Sequence, residues 1–219
     1  MSASAPLAVR VWGDLACFTR PELKVERVSY EVMTPSAARG ILEAIFWKPE
    51  ITWRISRLSV LRPIRHFSIL RNEIDQVVSP RTVSTWMSNG RHETFLADEH
   101  RAQRHTLALR DVAYRIEAEM VLKSPVPEGI GKYVAQFQRR LQKGQCYTRP
   151  CLGCREFPAY FEEADPAELP IPVSADLGQM LFDLRHEKAS GRADPMFFAA
   201  ELKSGILEVP ASLYQEVGA

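Results

Sequence analysis

The clearest ordering of apolar and polar positions lies between residues 29 and 49, SYEVMTPSAARGILEAIFWKP. Tyr30 to Met33 favour a strand. Thr34 then offers a side-chain oxygen to the first free N–H groups of a helix, and Pro35 suits the first helical position. Ala38, Ile41, Leu42 and Ile45 recur as one buried helical stripe, and Pro49 stops the pattern. Arg39, Glu43 and Phe46 fall on a second line, at i, i+4 and i+7. An aromatic on a charged line has two readings. It packs beneath a loop, or it belongs to a surface that meets a ligand or another chain.

The same patterning predicts the remaining elements. Leu7 to Trp12 alternates as a first strand, turned by Gly13-Asp14. Ile51 to Arg62 predicts a long strand whose alternation slips near Ser56-Arg57, the mark of a bulge. Pro63 interrupts it, and His66 to Leu70 predicts a partner strand. Residues 72–105 mix Pro80, Gly90, His92, His100 and His105 with balanced charges, and they predict a long, partly irregular insertion. Thr106 to Lys123 returns to strand. Pro127-Glu128 opens a second helix over 128–143, with Ile130, Val134, Phe137 and Leu141 as its core stripe and Gly144 as its stop. Lys132, Gln136, Arg139 and Lys143 share the opposing line. Cys146 to Arg149, Arg155 to Phe161, Met180 to Leu184 and Met196 to Leu202 predict further strands, and Ser204-Gly205 predicts a two-residue turn into Ile206 to Val209. This order predicts an α+β fold. A ferredoxin-like (RRM-like) N-terminal domain spans 1–160, and a small acidic antiparallel β-sheet domain spans 161–219. Surplus strands before and between the helices are expected to form hairpins outside the central sheet.

Charge changes this picture. The net charge of +1 conceals a basic body and an acidic end: residues 1–155 carry 24 basic and 15 acidic side chains, and residues 156–219 carry 4 and 12. Such a split fits a protein that holds a polyanion with one part and faces water or a protein partner with the other; an unevenly charged solvated surface is the plainer reading. No apolar run is long enough to span a membrane, and the N-terminus lacks the pattern of a signal peptide. A cytoplasmic protein without a membrane partner is expected. Its cysteines, Cys17, Cys146, Cys151 and Cys154, are expected to be reduced thiols. Cys151 and Cys154 form an isolated C-x-x-C with no second ligand pair at zinc-site spacing, so no metal and no cofactor are expected.

The chemistry is narrowed further by what is missing. The sequence has no phosphate-binding loop, no dinucleotide fingerprint and no nucleophile elbow. No paired carboxylates stand out in the basic body, which counts against a two-metal nuclease. Basic residues instead bracket the two helices, interleaved with Phe46, Trp47, Trp53, Phe67, Tyr133 and Tyr147. That mixture suits single-stranded nucleic acid, in which cations hold phosphates and unstacked bases rest on rings. RNA carries its own nucleophile, the 2′-hydroxyl. A metal-free ribonuclease therefore needs only to align it, move protons and neutralise the phosphorane. Lys132-Tyr133, at the start of the second helix, is a candidate pair for this; in the plainer reading Tyr133 packs on Phe137 and Lys132 is a solvated cation.

Three stretches carry a family likeness: GDLACFTRPELKVERVSYEVMTPSAARGILEAIFWKP, HTLALRDVAYRIEAEM and GKYVAQFQRRLQKGQCYTRPCLGCREFPA. They resemble the CRISPR-associated subunit of type I-C (Dvulg subtype) systems that processes the precursor of CRISPR RNA, within the repeat-associated RNA-binding (RAMP) superfamily. The resemblance implies cleavage at the base of the repeat hairpin, retention of the 5′ handle and assembly with other effector subunits. It also implies a catalytic tyrosine, lysine and histidine. The tyrosine position falls on Phe46, within Ile45-Phe46-Trp47-Lys48-Pro49, and the lysine–histidine pair on Lys132-Tyr133. Lys132 is retained, Phe46 lacks the hydroxyl, and Tyr133 replaces the imidazole. Lys132 and Tyr133 are the expected catalytic residues; Arg39, Phe46, Lys48, Arg139, Arg140 and Arg155 are the expected RNA contacts. Two alternatives stay open: a non-catalytic subunit that binds the handle, and a metal-dependent nuclease acting on DNA.

Overall fold

The structure, a computed structural model, describes residues 2–23, 25–90, 95–125, 127, 129–186 and 193–216, without the side chains of His186 and Glu216. The expected start of the second helix at Glu128, and His92 and Arg91 of the expected insertion, lie outside the described residues. In chain order the elements are β1 (Leu7–Ala16), β2 (Arg27–Val28), α1 (Pro35–Ile45), β3 (Ile51–Val60), β4 (His66–Ile74), α2 (Pro80–Asn89) and β5 (Arg101–Leu122). They continue with α3 (Gly131–Gln142), β6 (Tyr160–Glu163), β7 (Ala175–His186), β8 (Ala193–Lys203), β9 (Ile206–Glu208) and α4 (Leu213–Glu216).

β5 is the spine. Its second half is sandwiched antiparallel between β1 and β3, with Val9 facing Ile116 and Leu58 facing Ile116 from the other side. Its first half carries β2 in parallel on one edge and β4 antiparallel on the other. The changeover falls at Asp111, whose φ of 53° lies in the left-handed region that aspartate tolerates better than most residues. There Ala113 O still accepts from Leu61 N, while Arg110 N donates to Arg65 O, so the edge passes from β3 to β4 without losing its ladder. The main path of the sheet is β6-β1-β5-β3-β9-β8-β7. Alternate side chains of these strands, among them Val11, Trp53, Ile55, Tyr114, Ile116, Ala118 and Met120, enter the core. α1 packs on β3 and β7, and α3 on β6 and α1.

Several expectations change. The segment 72–105 is more ordered than expected: β4 and the start of β5 form a long antiparallel arm with α2 between them in the chain, and among the described residues only 75–79, 90 and 95–100 are irregular. α2 buries no residue, so its apolar positions Val83, Trp86 and Met87 face no core. His66 to Leu70 does form a strand, but its partner is β5 rather than the preceding β3. Tyr30 to Met33 and Cys146 to Arg149 lie outside the strands, and of Arg155 to Phe161 only the last two residues enter β6. The acidic strands join the main sheet through β9, which pairs with β3, with Arg57 opposite Glu208.

Other expectations hold. Thr34 caps α1 by accepting from Ala37 N. The Ser204-Gly205 turn has φ values of 48° and 76°, as a tight hairpin turn requires. The bulge expected at Ser56-Arg57 is present as a register shift between Ile55 and Arg57. There Tyr214 of α4 donates its hydroxyl to Ile55 O at 3.0 Å and accepts from Ile55 N at 2.7 Å. One hydroxyl thus satisfies both backbone groups of a bulge residue whose side chain is buried. Tyr214→Phe should therefore lower unfolding free energy by about 1–3 kcal/mol in urea denaturation, because it strands a buried donor and acceptor. A change below about 0.3 kcal/mol would show that the bulge does not depend on this hydroxyl.

Candidate nucleic-acid interface

The C-terminal end of α1 must find partners for its last carbonyls. Each partner comes from a different element. Ala44 O accepts from Tyr147 N at 2.8 Å and Thr148 N at 3.0 Å. Ile45 O accepts from Arg140 Nη1 at 2.9 Å, and Phe46 O accepts from Trp53 Nε1 at 3.1 Å. α3 ends as expected at Gly144: Gly144 N donates to Leu141 O and Gln145 N to Arg140 O, a Schellman motif that turns the chain back toward α1. The 146–155 loop then runs beside α1.

Between this loop and α1 lies a cleft of about 790 Å³. Ser36, Ala37, Gly40 and Ala44 form its smooth helical wall, and Thr19 and Thr34 add hydroxyls. Arg149 and Arg155 bring cations from the loop. A Cβ built on Gly40 meets nothing within 4 Å, so this wall is kept open by the small side chains themselves. Outside the cleft, Trp47 is 47% exposed and Tyr147 67% exposed, beside the exposed Lys48 and Arg139.

The expected site residues separate into two groups. Lys48, Arg139 and Arg155 are on the surface, as RNA contacts need to be. Lys132 is exposed in the first turn of α3. Arg39, Arg140 and Phe46 are committed to the fold instead. Arg39 binds Asp183 of β7 at 2.6 Å and Glu43 at 2.9 Å. Burial acts to lower its pKa, yet the two carboxylates outweigh this and hold it above the ordinary arginine value. Arg140 caps α1 and lies over the Phe46 ring at 5.4 Å.

Phe46 is 0% exposed and packs with Phe137, their centroids 6.4 Å apart, so it has no face to offer a base. The physical reason is local. Phe46 is the C-cap, at φ −148° and ψ 112°, and the helical wheel that set it beside Arg39 and Glu43 no longer applies there. Tyr133 is 7% exposed, on the same helical face as Phe137. The interleaved rings that do reach solvent, Trp47, Phe67 and Tyr147, carry a sequence signal only as part of that interleaving, which does not separate core rings from surface ones.

Phe46→Ala should cost about 3–5 kcal/mol in urea denaturation, the usual penalty for emptying a buried aromatic site. Trp47→Ala, one residue on, should change stability by under about 1 kcal/mol. Equal losses would contradict the assignment of one ring to the core and its neighbour to the surface.

Residues 6–209 match the family described as CRISPR-associated protein (Cas_Cas5), of the Cas5d type. The chain is 45% identical to a protein of Thermus thermophilus named CRISPR pre-crRNA endoribonuclease Cas5d, over 97% of this chain and 95% of the relative. It is 46% identical to a protein of the same name from Mannheimia succiniciproducens, over 96% and 97%. Among solved structures it is similar to a functionally uncharacterised Streptococcus mutans protein, with a TM-score of 0.67, 20% identity and coverage of 97% and 96%. A structure described as a CRISPR-associated protein gives 0.67, 22%, 96% and 94%. These two likenesses concern the fold, an α+β arrangement on a large antiparallel sheet. The family match and the two close relatives together cover nearly all of the chain, which belongs to the CRISPR-associated Cas5 family as a Cas5d-type subunit of type I-C systems.

Proposed function

We propose that this protein is an endoribonuclease that cuts the precursor of CRISPR RNA within its repeat, keeps the 5′ handle and works in the cytoplasm with other type I-C effector subunits. The observation that carries this reading is the 45% identity, across nearly the whole chain, to a relative named for that activity. The finer description of the fold is part of the proposal. β1, α1, β3, β5, α3 and β6 follow one another with strand order β6-β1-β5-β3, which supports a ferredoxin-like unit over 1–160; β7 to β9 make a smaller β unit over 161–219.

Cleavage proceeds by attack of the RNA 2′-hydroxyl on the adjacent phosphorus, with departure of the 5′-oxygen, and needs no metal. Lys132 neutralises the charge that develops on the phosphoryl oxygens, helped by the positive end of α3. Tyr133 orients or transfers a proton. Arg149 and Arg155 hold phosphates in the cleft, Lys48 and Arg139 hold them on the surface outside it, and Trp47 and Tyr147 take unstacked bases. A second reading, a subunit that holds the handle without cutting it, is favoured by two specific features. Phe46 has no hydroxyl, and Tyr133 is almost fully buried.

Repeat RNA incubated in EDTA separates these readings. Cutting that persists in EDTA, and stops when the 2′-hydroxyl at the cut site is replaced by hydrogen, is the expected result. Lys132→Ala should slow it about 10²–10³-fold, the usual effect of losing one transition-state charge partner, and Tyr133→Phe should slow it as well. Tight binding without cutting would favour the handle-holding reading, and cutting of DNA that depends on added metal would overturn both. Wild-type rates in both variants would remove these residues from the chemistry.

Gly40→Leu tests the cleft itself. A Cβ there meets nothing within 4 Å, and leucine is the better helix former by roughly 1 kcal/mol. The melting temperature should hold or rise while repeat-RNA affinity falls at least about tenfold, equivalent to about 1.4 kcal/mol. Unchanged affinity would take the cleft out of the RNA path.

A further inference from the structure

Cys151 and Cys154 form the sequence's one C-x-x-C, and the fold gives Cys154 a second thiol neighbour. Cys17, the residue after β1, meets it from 137 positions away. The Cys154 thiol lies 3.7 Å from the Cys17 carbonyl oxygen, and each thiol is close enough to shift the other's pKa. The backbone builds this meeting. Cys17 N donates to Leu152 O at 3.0 Å. Gly153, at φ +86°, is pressed so closely on Cys17 that a Cβ would stand 2.0 Å from its carbonyl oxygen, so only glycine fits.

Polar groups complete the site. Arg27 Nη1 lies 3.6 Å from Cys154 Sγ, and the same guanidinium faces Glu73 at 3.6 Å and Glu156 at 3.4 Å. Thr19 Oγ1 is 3.5 Å from Cys17 Sγ. Cys17 lines the 790 Å³ cleft, and Cys154 lies buried behind Gly153, which also lines it. All four cysteines are free thiols, with Cys17 and Cys154 buried and Cys146 exposed. No group of three or more His, Cys, Asp or Glu among the described residues is arranged to hold a metal ion.

We propose that Cys17 and Cys154 are a peroxide-reactive dithiol, oxidised by hydrogen peroxide to a disulfide that ties the end of β1 to the loop walling the cleft. The pair divides the labour. The hydrogen bond from Cys17 and the charge of Arg27 outweigh burial and lower the Cys154 pKa, while that of Cys17 is raised. Cys154 is therefore the thiolate that attacks. Its sulfur takes one oxygen of the peroxide, the O–O bond breaks, hydroxide leaves, and a sulfenic acid results. The Cys17 sulfur then forms the S–S bond and displaces that oxygen, which departs as water with the Cys17 proton. Two thiols and one peroxide become one disulfide and two waters. The burial of both sulfurs restricts the oxidant to a small one. The site stands whether or not the cleft holds RNA.

Wild-type protein treated with hydrogen peroxide, alkylated after unfolding and digested without reductant tests this by mass spectrometry. The expected product is a Cys17–Cys154 linked peptide pair, two hydrogens lighter than its reduced parts and reversed by dithiothreitol. Cys151→Ser should form the same link at the same rate. Cys17→Ser should stop at the sulfenic acid and give a dimedone adduct on Cys154. A Cys151–Cys154 disulfide as the first product would overturn the proposal. So would oxidation of Cys146 with both buried thiols still open to alkylation.

Discussion

Everything in this molecule hangs from the two hydrogen-bonding edges of β5. A strand of 22 residues exceeds what one pair of neighbours usually covers, and here it serves two sets in succession. One half carries β1 and β3, which hold the helices; the other carries β2 and β4, which hold the arm. Asp111 marks the joint between them, where the backbone enters the left-handed region and the partner on one edge changes. Because β5 is central, the approach of α1 and α3 is set by strands that share its register. Arg140 can therefore reach Ile45 O across 95 positions of sequence.

The consequence is that α1 has two different working faces. Its apolar stripe and Arg39 bind it to the sheet, with Arg39 reaching Asp183 on β7. Its small-residue face, from Ser36 to Ala44, is left open as the wall of a cleft. The C-terminal end of the helix is held by Arg140, Trp53 and the loop at 147–148, and Thr34 caps its start, so the wall is fixed at both ends. Fixed walls with cations from Arg149 and Arg155 are what a flexible polyanion needs if its ordering is not to cancel its binding.

Much of this was legible in the sequence wherever the determinant was local. Thr34-Pro35, the slip at Ser56-Arg57, Gly144 and Ser204-Gly205 each act through a few neighbouring atoms, and each appears in the structure as the sequence predicts. Ser79-Pro80 and Gly90 carried the same kind of signal for α2: Ser79 accepts from Thr82 N, and Gly90 takes φ 62°. They went unread because α2 lacks a buried stripe to confirm them. The candidate site was legible only in part. Arg39 and Arg140 look like solvated cations, since their partners lie 144 and 95 positions away. Phe46 keeps two readings in the sequence, packed beneath a loop or facing a ligand, because helical periodicity carried one residue beyond the helix sets it beside Arg39 and Glu43. The Cys17–Cys154 contact has no local signal at all; the visible spacing points to Cys151 instead.

The central claim is that RNA lies along the open face of α1 and the 146–155 loop, and ultraviolet crosslinking of repeat RNA followed by peptide mapping tests it most directly. Crosslinks within residues 34–48 and 147–155, with Trp47 and Tyr147 among the modified rings, are the predicted result. Crosslinks confined to the α2 arm or to β7 and β8 would contradict it.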